Sequence, residues 1–186
     1  SAAMSINGSM KIEKENAETI DLTPPWKKIE YDDLIKETAG NDWFSLAKSA
    51  KIAKALSMGL DVSDEMDESE ITHEVYEKIA EPRLIQPTFV TKLPASLAPL
   101  AKKCPDCPDK VDVFELEING QEIAPGYSEL NDPIEQRKRF ESQHESKAQA
   151  DGKIDDDFLV ALEHGMPPAG GMGIGIDRLV MLLTGA

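Results

Sequence analysis

A chain of 186 residues has room for one domain with a proper core, but not for two comfortable ones. Hydrophobic residues make up 40%, which excludes wholesale disorder, and aromatics at 5% leave most of the packing to aliphatic side chains. With 35 acidic against 20 basic residues the net charge is −15, which argues against unaided gripping of nucleic acid and suits handling of metal ions or a positively charged small molecule.

No apolar run approaches the ~20 residues of a membrane span. The N-terminal stretch lacks the basic start and apolar run of a signal peptide. Cys104 and Cys107 are too few for a disulfide scaffold, so the chain reads as a cytoplasmic protein of a reducing compartment. Ser1-Ala2-Ala3, ahead of Met4, reads as a vector-derived scar set apart from the fold of residues 4–186.

Met10 to Lys14 alternates and predicts a short strand, and Pro24-Pro25 ends what precedes it. Tyr31 to Ala39, closed by Gly40, predicts a helix with a glycine C-cap. Asn41 then opens a longer expected helix, with Trp43, Leu46, Ala47, Ala50, Ala53 and Leu56 at helical spacing and Gly59 at its end. Asp61 to Glu70 reads as a solvated loop or helix start. A helix over Ile71 to Ala80 stops before Pro82, and Leu84 to Val90 is β-rich.

Residues 104–110 form a loop. Val111, Val113, Leu116 and Ile118 mark a strand, and Asn119-Gly120 supplies the two positive φ values of a type I′ hairpin turn before a return strand from Gln121. Asn131-Asp132-Pro133 opens a charged helix with Ile134, Arg137 and Phe140 on one face. After the acidic segment 150–157, Asp157 to His164 predicts a helix closed by Gly165. A Gly-rich stretch at 170–175 leads into an apolar helix over Ile176 to Leu183. Strands in hairpins with helices between them predict an α+β fold, an antiparallel sheet flanked by helices.

Three groups of residues invite chemistry. Glu115, Glu117, Glu122 and Glu129 crowd one β unit, and residues two apart on a strand share a face. Two carboxylates on one face repel unless a cation lies between them, an arrangement that suits Mg²⁺ with phosphate oxygens in its other positions. A solvent-facing acidic hairpin is the plainer reading of the same residues. Gly170 to Arg178 alternates glycines before a helix whose first turn carries Arg178, which favours an anion such as a phosphate. It is neither a dinucleotide fingerprint nor a Walker sequence, since no parallel βαβ unit surrounds it. A buried strand-to-helix junction is its plainer reading. Cys104-Pro105-Asp106-Cys107 lacks a second ligand pair for zinc, and His73, His144 and His164 are scattered, so a surface turn is expected.

The run Phe114-Glu115-Leu116-Glu117-Ile118-Asn119-Gly120-Gln121-Glu122-Ile123, followed by Gly126-Tyr127-Ser128-Glu129-Leu130-Asn131-Asp132-Pro133, resembles class II lysyl-tRNA synthetases. Gly165 to Leu179 resembles class II motif 3 in its lysine-type form, with the motif spanning 165–184. Thr23-Pro24-Pro25-Trp26 and Glu81-Pro82-Arg83-Leu84-Ile85-Gln86-Pro87-Thr88-Phe89 are similar to that family's linking regions. The resemblance implies a partial class II aminoacyl-tRNA synthetase catalytic core. Motifs 1 and 2 and the anticodon-binding domain lie outside the matched stretch, so a truncated reading frame, or a piece of a larger gene, inactive alone, is expected.

By that resemblance Glu115 and Glu122 hold Mg²⁺ against ATP phosphates, Tyr127 and Glu129 recognise lysine, Arg178 is the catalytic arginine on the ATP γ-phosphate, and Gly173 and Gly175 line the floor. The implied partners are ATP, L-lysine and, through the full-length homodimeric enzyme, tRNA, with no membrane. Pro125 stands where the family has an asparagine, and Ala98 where it has a serine. Proline carries no amide, so that side chain cannot make the asparagine's contact. Two alternatives stay open: a synthetase-like module that binds ATP or lysine without catalysis, and a paralog that lysylates a protein.

Overall fold

Ser1 accepts the amide N–H of Met4 on its hydroxyl and opens helix α1 (Ala2–Asn7). Ala3 is buried in a cluster with Ile12, Ile20, Leu22, Ile118, Ile123, Leu182 and Leu183. The three leading residues, set apart on sequence grounds, therefore take part in the fold. The computed structural model describes residues 1–13, 18–146 and 154–185. Lys14 and the first part of the acidic segment 150–157 lie outside them, as does the side chain of His144.

The expected strand near Met10 is β1 (Lys11–Ile12), which pairs antiparallel with β2 (Ile20–Asp21). Strand β3 (Lys27–Glu30) runs directly into α2 (Tyr31–Ala39), whose end at Gly40, φ 103°, is the glycine stop read from the sequence. The expected long helix after Asn41 is broken. A 3₁₀ turn over Trp43–Ser45 is followed by extended backbone at Leu46 and Ala47, and α3 (Lys48–Ser57) starts afresh. Trp43 sets the break: it is fully buried and its indole N–H donates to Thr72 Oγ1 at 3.1 Å. Leu56, read as part of the buried stripe, is half exposed, while Lys51 is buried and paired with Glu68.

Helix α4 (Glu68–Val75) begins with a capping box in which Asp67 accepts the amides of Ser69 and Glu70 while Glu70 accepts that of Asp67. It widens into a π turn over Tyr76–Ala80 and ends in a 3₁₀ turn at Glu81–Arg83, as Pro82 requires. Strand β4 (Thr88–Thr91) follows, then β5 (Val113–Ile118) and β6 (Gln121–Ser128).

Helix α5 (Pro133–Ser146) starts where expected, with Asp132 accepting the amides of Ile134 and Glu135. Of the face read from the sequence, Arg137 and Phe140 are half buried, with Phe140 packed on Phe158 at 6.0 Å, but Ile134 is not. Ile134 is exposed, whereas Gln136 and Arg139 are buried. Arg139 donates to the carbonyls of Pro99 and Ala101, at 3.1 and 2.6 Å, so it satisfies backbone that would otherwise lose its water. Helix α6 (Asp156–Glu163), strand β7 (Gly170–Met172) and helix α7 (Ile176–Thr184) complete the chain order.

The contacts group into two compact units. The first comprises Ser1–Thr91, Phe114–Pro125 and Gly173–Ala186; the second comprises Lys92–Val113 and Gly126–Met172. In the first, β3 lies beside β4, β4 beside β5, and β5 beside β6. The β3–β4 pair is parallel and the β4–β5 pair antiparallel, so the α+β expectation holds but the sheet is mixed rather than purely antiparallel. In the second, Gly126–Ser128 at the end of β6 pairs antiparallel with β7.

The hairpin that carries Glu115 and Glu122 is pinned at its tip. Asn119 and Gly120 adopt φ 60° and 68°, as the turn signal requires. Their amides donate to the carbonyls of Ile85 and Leu84, both at 3.0 Å. A Cβ at Gly120 would lie 2.9 Å from the Pro82 carbonyl oxygen, so glycine is needed for space as well as for φ. Gly120→Ala is expected to destabilise the chain by about 2 kcal/mol or more, read as a lowered Tm in thermal denaturation. An unchanged Tm would contradict that account of the turn.

Candidate functional site

Glu115 and Glu117 share one face of β5, and their common partner is Tyr76. The tyrosine hydroxyl lies 2.9 Å from Glu115 Oε2 and 3.2 Å from Glu117 Oε1. Burial, followed by the charges of Glu115 and Glu117, pushes the Tyr76 phenol far above its ordinary value, so it stays a donor. Glu117 is fully buried, and its Oε2 has no hydrogen-bond partner.

Burial raises the Glu115 carboxyl to about 7; the Tyr76 hydrogen bond opposes the rise, and Glu122 and Glu81 add to it. Glu117 is raised to about 8 by burial, then by Glu81, Glu115 and Glu122. Glu81 is raised as well, first by burial, with a backbone hydrogen bond from Glu122 and the charge of Arg178 opposing. Glu81 and Glu122 thus act on both acids of β5 in the first unit.

Arg178 sits in the first turn of α7. Its Nη1 donates to the Glu122 carbonyl at 2.7 Å and lies 3.7 Å from Glu122 Oε1. The guanidinium therefore ties α7 to β6 while about half of its side chain, 52%, stays open to solvent. The amides of Gly173 and Gly175 donate to the carbonyls of Pro125 and Ile123, both at 2.9 Å. A Cβ at either glycine would meet only ordinary contact distances, 3.5 Å or more. The chain's own packing does not demand glycine there.

The second unit holds Tyr127 and Glu129. Tyr127 is half buried, and its phenol is raised by burial and then by the Glu129 charge, which makes the two neighbours. Glu129 is half buried and makes no ion pair among the described residues. Its carboxylate passes over Gly171, where a Cβ would stand 2.1 Å from Oε1. Glycine at 171 is thus what gives this carboxylate its room.

The structure brings Glu115, Glu122, Arg178, Gly173 and Gly175 into the first unit, and Tyr127 with Glu129 into the second. Sequence reasoning missed Tyr76, Glu81 and Gly171. The Pro82 stop gives no hint that Glu81 faces the hairpin, and Gly171 stood in the glycine run without a reason of its own. Cys104 and Cys107 are free thiols, and no group of three or more His, Cys, Asp or Glu among the described residues is arranged to hold a metal by itself. A cation here would take one or two carboxylates and complete its shell with other oxygens, the habit of Mg²⁺. Glu115 and Glu122 fit that donor set, because the Glu122 charge acts on Glu115 and no lysine is among the charges acting on Glu115 or Glu117.

The profile of the family described as tRNA synthetases class II (D, K and N) matches residues 3–186, and the chain belongs to that family. A lysine–tRNA ligase from Syntrophomonas wolfei subsp. wolfei is 50% identical over 188 residues, covering 98% of this chain and 38% of the relative. One from Moorella thermoacetica is 50% identical over 170 residues, covering 89% and 35%. One from Staphylococcus aureus (strain MRSA252) is 47% identical over 187 residues, covering 98% and 37%. The chain spans somewhat more than a third of the length of these relatives, and the lysine-type resemblance read from the motifs holds.

The raised carboxyls make stability depend on pH. Folded Glu115 and Glu117 keep protons that the unfolded chain, near 4.5, releases. Their contribution is full below about pH 4.5 and is lost as pH rises through about 7 and 8. Asp21, Asp42, Asp106 and Glu135 are lowered and titrate below that window. In chelator, Tm is expected to fall steadily between about pH 5 and about pH 9, with Glu117→Gln flattening the fall. A Tm that rises over that range would refute the assignment.

Proposed function

We propose that this chain supplies the magnesium, γ-phosphate and lysine contacts of a class II lysine–tRNA ligase. The reaction is activation of lysine by ATP to lysyl-adenylate and pyrophosphate, then transfer to the terminal adenosine of tRNA. What carries the reading is the acidic hairpin of Glu115 and Glu122 meeting the half-open guanidinium of Arg178, in a chain of this family.

Each residue then has a task. Glu115 and Glu122 would hold Mg²⁺, which when bound neutralises phosphate charge. Arg178 offers donors to the γ-phosphate from a helix N-terminus, where the helix dipole adds to its charge. Gly173 and Gly175 leave open backbone for a nucleotide to approach. Glu129, half buried without a cation, receives the ε-ammonium of lysine, a compact charge that a carboxylate in a partly dry site serves well. Tyr127 stands beside it. Attack on the α-phosphate needs positioning and charge neutralisation more than covalent help.

The wider assignment follows the family: a cytoplasmic enzyme of protein biosynthesis, a homodimer at full length, which meets tRNA through parts other than this acidic chain. The alternative of binding without turnover draws on Pro125, whose carbonyl is taken by Gly173 and whose side chain offers no amide. The third reading, lysylation of a protein, needs a changed lysine pocket, and Tyr127-Ser128-Glu129 is intact.

Calorimetry with lysine and with Mg·ATP, alongside ATP–pyrophosphate exchange, separates these readings. Glu129→Gln is expected to weaken lysine about 10- to 100-fold, the worth of one charged hydrogen bond, with Mg·ATP affinity kept. Glu122→Gln and Arg178→Ala are expected to weaken Mg·ATP about 10-fold or more and to spare lysine. Binding without exchange is expected of this chain alone, and robust exchange by it would exclude the binding module. Mg·ATP affinity that survives Glu115→Gln and Glu122→Gln would sink the ligase reading.

A further inference from the structure

Tyr76 is 2% exposed and opens the π turn that widens the end of α4. Such turns are uncommon in helices and gather at functional positions. Its ring is packed against Tyr31, at 5.0 Å between centroids, and stacked on His73 at 5.9 Å. The hydroxyl is therefore held from two sides and has little freedom to turn elsewhere. It meets Oε2 of Glu115 and Oε1 of Glu117, on adjacent same-face positions of β5.

That arrangement is costly for folding alone. Glu117 is wholly buried, its Oε2 is without a partner, and the Tyr76 hydroxyl is the one hydrogen bond its carboxylate makes among the described residues. An apolar side chain at 117 and phenylalanine at 76 would fill the same space without a buried polar network. A network retained against that cost is explained when it fixes something that must not move. Of its two ends, Glu117 is already locked by burial. The end that gains is Glu115, which is only half buried and whose Oε1 takes no hydrogen bond among the described residues.

We propose that Tyr76 is a positioning residue for the metal–nucleotide site: its hydroxyl clamps Glu115 Oε2 and leaves Oε1 as the oxygen offered to the cation. This rests on the reading that Glu115 holds Mg²⁺. Partners of metal-binding carboxylates set ligand orientation, and their loss costs about 10- to 100-fold in metal affinity.

The test is the metal-dependent gain in ATP affinity, measured on this chain by calorimetry with ATP in chelator and again in saturating Mg²⁺. The wild type is expected to show a gain that Glu115→Gln abolishes. Tyr76→Phe is expected to cut the gain about 10-fold and to leave the affinity in chelator within about twofold. A purely structural role would lower both affinities together, and that result overturns the proposal. So does a gain that Tyr76→Phe leaves intact while Glu115→Gln removes it, in which case the parent reading stands. No gain in the wild type, or a gain that Glu115→Gln leaves intact, fells the parent reading and the clamp with it. Should Tyr76→Phe unfold because Glu117 loses its hydrogen-bond partner, the double variant Tyr76→Phe/Glu117→Leu removes the buried acid together with that partner, a change that is near neutral for stability. The double variant is expected to keep the reduced gain, and a wild-type gain in it refutes the clamp.

Discussion

Negative charge gathered around one hairpin, with a single guanidinium to answer it, sets the terms for the first unit. The charges of Glu81 and Glu122 raise the proton affinity of Glu115 and Glu117, Glu122 raises that of Glu81, and Arg178 is the cation that opposes the rise at Glu81. Arg178 spends its closest contact on a carbonyl, 2.7 Å from Glu122 O, and stands 3.7 Å from the nearer carboxylate oxygen. It is tethered without being neutralised. A guanidinium has five donors, and among the described residues this one makes a single hydrogen bond.

Magnitudes decide how the buried acid is tolerated. Lifting Glu117 from 4.5 to about 8 corresponds to roughly 5 kcal/mol set against its charged form. That rise already includes the Tyr76 hydrogen bond, which opposes it. The Tyr76 hydroxyl therefore cannot keep Glu117 ionised near neutral pH, and the proton stays on it. Glu115, at about 7, sits near the balance point, and a cation would tip it to the charged form. The same strand thus carries one acid that folding neutralises and one that a ligand can recruit.

Much of the frame was legible because its signals are local. The type I′ turn needs two positive φ values from two adjacent residues, and Asn119-Gly120 is the dipeptide that gives them. Gly40 ends α2, and Asp132 and Pro133 open α5, by contacts within a few residues. The failures are long-range. Trp43 breaks an expected helix because Thr72, 29 residues on, takes its indole N–H. Arg139 turns the polar face of α5 inward because carbonyls about 40 residues upstream need donors. The carboxylates of the candidate site stood out by spacing, yet their partner Tyr76 lies 39 residues before Glu115, and no periodicity points to it.

The glycines show the same division between local and distant causes. In the run from 170 to 175, alternation alone suggests one role for all. The structure separates them: Gly171 is fixed by the chain itself, since Glu129 Oε1 occupies the space a side chain would need. Gly173 and Gly175 have room for a Cβ, so their lack of one serves nothing within the chain. Two different causes then act on one short stretch. One clears room for the Glu129 carboxylate, which on the proposed reading takes a cationic substrate. The other leaves backbone bare, on the proposed reading for a nucleotide, and the distinction is physical: filling 171 displaces Glu129 at once, whereas filling 173 or 175 meets no close contact.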